Sequence, residues 1–292
     1  MKKIILLLIL VVNLQIWAQK KVYVLDSLTK EILPFAQIKI GEKGRYTNAK
    51  GFFVYSNDSA KTANVYFLGY KNKPFNLSQT DTVFLQPSPI SLAPVLIGPS
   101  SNSIKIDFLH INKRFFGSFP LTKHYEILST IVPRDSSFKG RLKQVSFKLS
   151  PIIFNKKKFK HTSHAIVRLN IYTNDNRHKL LYQSPVYKVR NRKKDLVIVK
   201  PMEIPIFLTK QGLVFGIEYL GHLDKDGNFM PINKLLVRPV LTDAESKFYK
   251  QNTMLRDVFS HKVFIKTFKN YFKDLENHRF SRNLALSFIF VK

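Results

Sequence analysis

Short runs of aromatic and branched apolar residues, cut by glycine, proline or Asn/Asp turns at intervals of roughly 8–12 residues, constrain this chain more than any other feature. Residues 22–25, 35–40, 45–47, 52–55, 65–68, 83–85 and 95–97 form one series, with Gly41 and Gly44 bracketing a tight connection. A second series covers residues 125–132, 142–149, 165–172, 180–186, 196–202, 213–220, 235–241 and 284–291. Such runs fit strands, and most are too short for a helix of roughly 10–12 residues. The 25 Phe and 12 Tyr suit half-buried pleated surfaces. With 45% hydrophobic residues the chain can build a core. The expected fold is mainly β: a sandwich over residues 20–97, a linker over 98–103 rich in Pro, Gly and Ser, and a jelly-roll-like sandwich with minor helix over 104–292. Val167, Leu169 and Ile171 alternate with Arg168, Asn170 and Tyr172, which predicts one buried and one wet face.

The N-terminus carries a different signal. Lys2 and Lys3 precede an unbroken apolar run from Ile4 to Val12, and Ala18 offers a small residue before Gln19. This reads as a signal peptide over residues 1–18, cleaved between Ala18 and Gln19. The alternative is a membrane anchor, but nine residues rise only about 14 Å as a helix, against the ~20 residues a span needs. No later stretch approaches a transmembrane helix, so no span is expected in the mature chain. The strand pattern is irregular and basic, which disfavours a transmembrane barrel. The expected destination is the periplasm, the outer membrane or the cell surface. The chain has no cysteine, which excludes thiol catalysis, zinc–thiolate sites and a lipoprotein acyl anchor.

Four segments follow in order: Leu33-Pro34-Phe35-Ala36-Gln37-Ile38, Thr47-Asn48-Ala49-Lys50-Gly51-Phe52-Phe53, Leu68-Gly69-Tyr70-Lys71 and Leu92-Ala93-Pro94-Val95-Leu96-Ile97. Together they resemble the carboxypeptidase regulatory-like domain of Bacteroidota envelope proteins, a transthyretin-like β-sandwich. The resemblance covers about 78 residues. It implies a structural or docking module with Pro34, Phe35, Ala36, Gly51, Phe53, Gly69 and Tyr70 as its structural motif, and it implies no enzymatic role. No zinc-carboxypeptidase signature follows it. The residue types agree: Pro34 suits a strand entry, and Gly51 and Gly69 suit turns that need φ > 0.

The formal net charge is +29, or +27 without Lys2 and Lys3. Residues 20–97 carry +5 and residues 98–292 carry +22. Three clusters dominate: Lys156, Lys157, Lys158 and Lys160; Lys188, Arg190, Arg192, Lys193 and Lys194; and Lys262, Lys266, Lys269 and Lys273. The first two are candidate anion-binding sites. Such a field attracts polyanions. After export these would be lipid headgroups, lipopolysaccharide phosphates or acidic glycans rather than nucleic acid. The competing reading is a set of solvated loops.

Catalytic and metal motifs are sparse. His161-Thr162-Ser163-His164 has HxxH spacing without a third ligand. Asp224-Lys225-Asp226-Gly227-Asn228 resembles the start of a calcium loop but lacks its closing Glu, and reads better as a strand-connecting turn. No GxSxG elbow, P-loop or Rossmann fingerprint occurs. No carboxylate pair stands out as a glycosidase site. No cofactor or metal is expected. The stretch Thr242 to Phe259 is expected to include a helix, capped by Thr242 or Asp243 with Glu245 in its first turn. Phe264, Phe268, Phe272 and Leu275 fall at helical spacing, either as a core-facing stripe or as a basic membrane-surface helix. Asp58-Ser59-Ala60 and Asp81-Thr82-Val83 resemble short O-glycosylation motifs. The expected function is a non-catalytic envelope protein that docks or binds an envelope partner. The alternatives are a binder of anionic glycan or lipid headgroups, and an enzyme acting on polysaccharide or peptide.

Overall fold

The computed structural model describes residues 20–55, 61–88, 103–107, 109, 124–135, 140–151, 164–175, 178–190, 196–224, 228–230, 237–242, 246–268 and 283–291. The expected signal peptide with its Ala18/Gln19 junction, the run 95–97 and the Asp58 motif lie outside these residues. The chain is mainly β and divides into two compact units, Met1–Ile90 and Ser91–Lys292. Ser103, read as the end of the linker, opens a strand of the second unit.

The first unit holds β1 (Lys20–Asp26), β2 (Gln37–Ile40), β3 (Lys43–Tyr46), β4 (Phe52–Tyr55), β5 (Thr62–Tyr66), β6 (Lys73–Asn76) and β7 (Thr82–Leu85). Among the described residues they form a sheet in the order β4-β1-β7 and another in the order β3-β2-β5-β6. β1 is antiparallel to β4 and parallel to β7. Period-two alternation sends Val22, Val24, Phe53, Tyr55, Val83 and Leu85 of one sheet into a core shared with Ile38, Ile40, Ala63, Val65 and Phe75 of the other. β6 escapes the sequence reading because Lys-Pro-Phe-Asn contains one large apolar residue and a proline.

The motif residues act as local fasteners. Phe35 sits at φ 61° and is buried. The buried Thr47 hydroxyl holds that turn, accepting from Ala36 N (2.8 Å) and donating to Leu33 O (2.8 Å). Asn48 Oδ1 accepts from Lys50 N and Phe52 N, closing the turn at Gly51. Gly51 has φ +70°, and a Cβ there would lie 2.7 Å from Ile32 Cβ. Gly51→Val is therefore expected to destabilise this unit by roughly 1–3 kcal/mol, read as a lower melting temperature of its transition. An unchanged melting temperature would count against the turn.

Gly69, at φ +84°, delivers Tyr70, whose hydroxyl donates to Asp26 Oδ2 (2.7 Å). That bond, with the Leu28 N–H on Oδ1, holds the Asp26 carboxyl below its ordinary range. Burial and the Asp26 carboxylate push the Tyr70 phenol up to about 12. A depressed carboxyl stabilises the fold above its ordinary pKa of 3.8 and loses that contribution as pH falls through the lower folded value. A raised phenol stabilises below its ordinary 10.0 and loses that as pH rises toward about 12. The melting-temperature gap between wild type and Tyr70→Phe should thus be widest between these limits and narrow beyond both. A gap independent of pH would show that the pair does not couple to folding.

The second unit contains β8 (Ser103–Asp107), β9 (Tyr125–Pro133), β10 (Gly140–Pro151), β11 (His164–Thr173), β12 (Leu180–Gln183), β13 (Tyr187–Arg190), β14 (Leu196–Leu208), β15 (Leu213–Leu223), β16 (Phe229–Met230), β17 (Val237–Pro239), β18 (Leu241–Thr242), β19 (Tyr249–Asp257), β20 (Val263–Ile265), β21 (Asn283–Leu284) and β22 (Leu286–Val291). One sheet runs β14-β10-β22-β8, with β17 also on β10. The larger runs β12-β11-β15-β9-β19-β20, with β13 also on β11 and β16 on β15. The two enclose one core. In it Phe288 of β22 meets Phe215 of β15 (centroids 4.7 Å apart) and Tyr249 of β19 (6.0 Å). Burial pushes the Tyr249 phenol up.

Three expectations are corrected here. Among the described residues of 242–259 there is no helix. β19 pairs along its whole length with β9, from Tyr249↔Pro133 to Asp257↔Tyr125, so strand pairing overrides the capping pattern. Residues 263–265 are also a strand, paired through Ile265 with Leu255, which excludes them from a membrane-surface helix. Phe272, Leu275, Lys269 and Lys273 lie outside the described residues. The face of β11 read as wet is buried, Arg168 and Asn170 included.

Candidate functional site

That buried face carries a dense group of paired polar side chains. Strand register sets Arg168 of β11 opposite Glu218 of β15, Glu218 opposite Glu126 of β9, and Glu126 opposite Arg256 of β19. The row reads plus, minus, minus, plus across four adjacent strands. Both glutamates have no exposed surface. Arg168 grips Glu218 with two nitrogens, Nε to Oε2 (3.0 Å) and Nη2 to Oε1 (3.1 Å). Arg256 Nη2 donates to Glu126 Oε2 (2.7 Å).

The two carboxylates, side by side, would repel each other unless bridged. Asn170 Nδ2 donates to both, to Glu126 Oε1 (2.8 Å) and Glu218 Oε2 (2.8 Å). The Tyr172 hydroxyl reaches Glu126 at 2.9 and 3.0 Å, and the Arg256 guanidinium stacks 4.8 Å from the Tyr172 ring. Burial, and then the Glu126 charge, hold the Tyr172 phenol well above its ordinary range. Burial alone would depress the Arg256 guanidinium, but the Glu126 charge and hydrogen bond, with Tyr172 and Glu218, together outweigh it and hold it above its ordinary value. His178, at φ 44°, is depressed by burial and by the Arg256 charge.

Gly216 of β15 completes the arrangement. It lies opposite Asn170 on one side and Leu128 on the other, leaving room for the Glu126 carboxylate. Leu128, Tyr172 and Val214 form a small apolar cluster on this face, with Leu180 and Met254 against it.

Two adjacent carboxylates invite comparison with a glycosidase pair, but chemistry needs an oxygen that a substrate can reach. Here each of the four oxygens accepts a hydrogen bond, and both side chains are sealed from solvent. The row is charge-balanced, though Arg256 Nε is buried without a hydrogen-bond partner, and a buried polar row of this kind favours one strand register over its slips.

The residues singled out from sequence disperse. Lys188 and Arg190 lie exposed on β13, which pairs with the start of β11. Lys156, Lys157, Lys158, Lys160, Arg192, Lys193 and Lys194 lie outside the described residues. Of the HxxH pair only His164 is described, in β11 opposite Leu223 and Arg190. Asp224 and Asn228 bond each other at the end of the β15–β16 hairpin, with Asn228 N to Asp224 Oδ1 at 2.8 Å, as a strand-connecting turn requires. Among the described residues no three acidic or histidine side chains group as a metal site would need, and no helix is long and apolar enough to cross a membrane.

Sequence reasoning missed Glu126, Glu218 and Arg256. A usable signal was present: each Glu interrupts an otherwise apolar strand run, and a lone charge in such a run must be buried and paired or be costly.

Neither protein-family models nor curated proteins give a match to this chain.

Proposed function

We propose that this chain is a non-catalytic, exported envelope protein that acts by binding. In this reading its N-terminal unit is a carboxypeptidase regulatory-like docking module, and its C-terminal unit is the sandwich that contacts an envelope partner. The observation that carries it is the state of Glu126 and Glu218. The site that most resembles a catalytic dyad is sealed and neutralised by Arg256 and Arg168, so its role is architectural. The placement of Pro34, Phe35, Gly51, Gly69 and Tyr70 at turns of one small sandwich supports the module assignment. Expression of the full precursor should yield a processed chain in the envelope fraction, and affinity capture from envelope extract should recover a reproducible partner. Failure to recover any would count against the reading.

A second reading has its own observation. Lys188 and Arg190 project from β13 into solvent, as an anion-binding edge would require. Contact with lipopolysaccharide phosphate or acidic glycan would then weaken from low to high salt, because the screening length falls from ~30 Å at 0.01 M to ~3 Å at 1 M. Binding to neither ligand at low salt would end this reading.

A further inference from the structure

The outer face of the β4-β1-β7 sheet is apolar where a small sandwich would be expected to present polar side chains. Tyr23 of β1 stands between Phe52 of β4 and Thr82 of β7, and Leu25 stands between Ile32 and Phe84. Tyr23 and Phe52 meet with centroids 5.3 Å apart. Exposure here is high for large apolar groups: 38% for Tyr23, 38% for Phe84, 44% for Ile32 and 75% for Leu28, in the turn after β1. Exposed large apolar side chains grouped on one sheet face are the kind of surface that interaction sites use.

The charges around it are arranged for an anionic partner. Lys21 Nζ lies 5.4 Å over the Phe52 ring and Lys30 Nζ 4.5 Å over the Phe84 ring, so two ammonium groups lie against the apolar face itself. Lys73 Nζ donates to Phe84 O at the same edge. Of the nearby carboxylates, Asp81 is held by Lys20 (2.8 Å), and Asp26 is occupied by its own turn and by Tyr70. Asp81, though paired, is largely exposed, and Glu31 also faces solvent.

We propose that this face is a peripheral docking surface for an anionic lipid bilayer. Leu28, Ile32 and Phe84 would enter the headgroup–acyl boundary, Tyr23 would lie at the interface, and Lys21 and Lys30 would reach the phosphates. Apolar side chains ringed by lysines whose stems lie along the apolar surface are the side-chain set such an interface selects. The proposal takes from the envelope reading only the compartment in which the lipid is met.

The test is co-sedimentation of the full mature chain with vesicles of one-to-one phosphatidylglycerol and phosphatidylcholine, and with vesicles of phosphatidylcholine alone. Wild type is expected to partition onto the anionic vesicles. Leu28→Ser with Phe84→Ser is expected to lower the partition coefficient about tenfold or more by removing buried apolar area. Lys21→Glu with Lys30→Glu is expected to do the same at low salt. Lys188→Glu with Arg190→Glu is the competing arm: it leaves Lys21, Lys30 and the apolar side chains untouched, and on this proposal the partition stays within about twofold. All six positions are exposed or half-buried, and thermal melts check that each variant folds. The proposal is overturned if wild type ignores anionic vesicles, or if the Leu28/Phe84 variant binds like wild type. It is equally overturned if a soluble acidic polysaccharide displaces all bound protein, which would assign the face to a glycan. Loss of vesicle binding in the Lys188/Arg190 variant alone would move the lipid contact to the second unit and leave the envelope reading standing.

Discussion

Replacing Glu126 with glutamine is expected to destabilise the second unit by about 3–5 kcal/mol, the cost of stranding a buried charge. The substitution hardly alters volume, so no cavity contributes. What changes is charge and hydrogen-bond polarity. Glu126 accepts from Asn170, Tyr172 and Arg256, and an amide would turn an NH2 group toward one of these donors. The Arg256 guanidinium would then be enclosed without its counter-charge, leaving the row Arg168–Glu218–Glu126–Arg256 with one net positive charge. Adding Arg256→Met to Glu126→Gln removes that charge, so the double variant should be more stable than Glu126→Gln alone. Urea midpoints of the three proteins check this. A loss below about 1 kcal/mol for the single variant would mean that the row is screened like a surface ion pair.

How much of this was legible in the sequence depends on the range of the information. Period-two alternation is local, so the strands themselves and the mainly β class could be read from it. Gly51 and Gly69 were legible for the same reason, because a turn that needs positive φ leaves its mark within a few residues. The fate of a strand's polar face is not local. Arg168, Asn170 and Tyr172 alternate as solvent-facing residues do, and only their partners, 44 and more residues away, make them internal. Arg256 meets Glu126 across 130 residues. Residues 242–259 fail in a related way: an N-cap pattern is a weak preference of a few residues, while β19 gains a full ladder with β9. The exposed face of Tyr23, Phe52 and Phe84 was hidden for the opposite reason, since aromatic residues in a strand read as core unless the sheet order is known.

Gly216 shows how far such long-range demands reach into a single position. In the interior of a strand, Gly→Ala ordinarily stabilises by roughly 0.5–1 kcal/mol, because alanine has less backbone freedom to lose. Here the opposite is expected. An added Cβ would overlap Glu126 Oε1 and lie 2.6 Å from its Cδ and 2.9 Å from Leu128 Cδ2. A flexible carboxylate could normally swing aside, but this one is tethered by Asn170, Tyr172 and Arg256. The methyl group must therefore displace the strand or break the network. Gly216→Ala is expected to cost about 3–5 kcal/mol, combining overpacking with loss of the buried ion pair. The cause can be separated from any backbone preference by repeating the substitution in Glu126→Ala, where the carboxylate no longer occupies the space. In that background the penalty should shrink to about 1 kcal/mol or less, a coupling that a double-mutant cycle in urea would resolve. An equal penalty in both backgrounds would mean that the glycine serves the backbone of β15 and not the seat of Glu126.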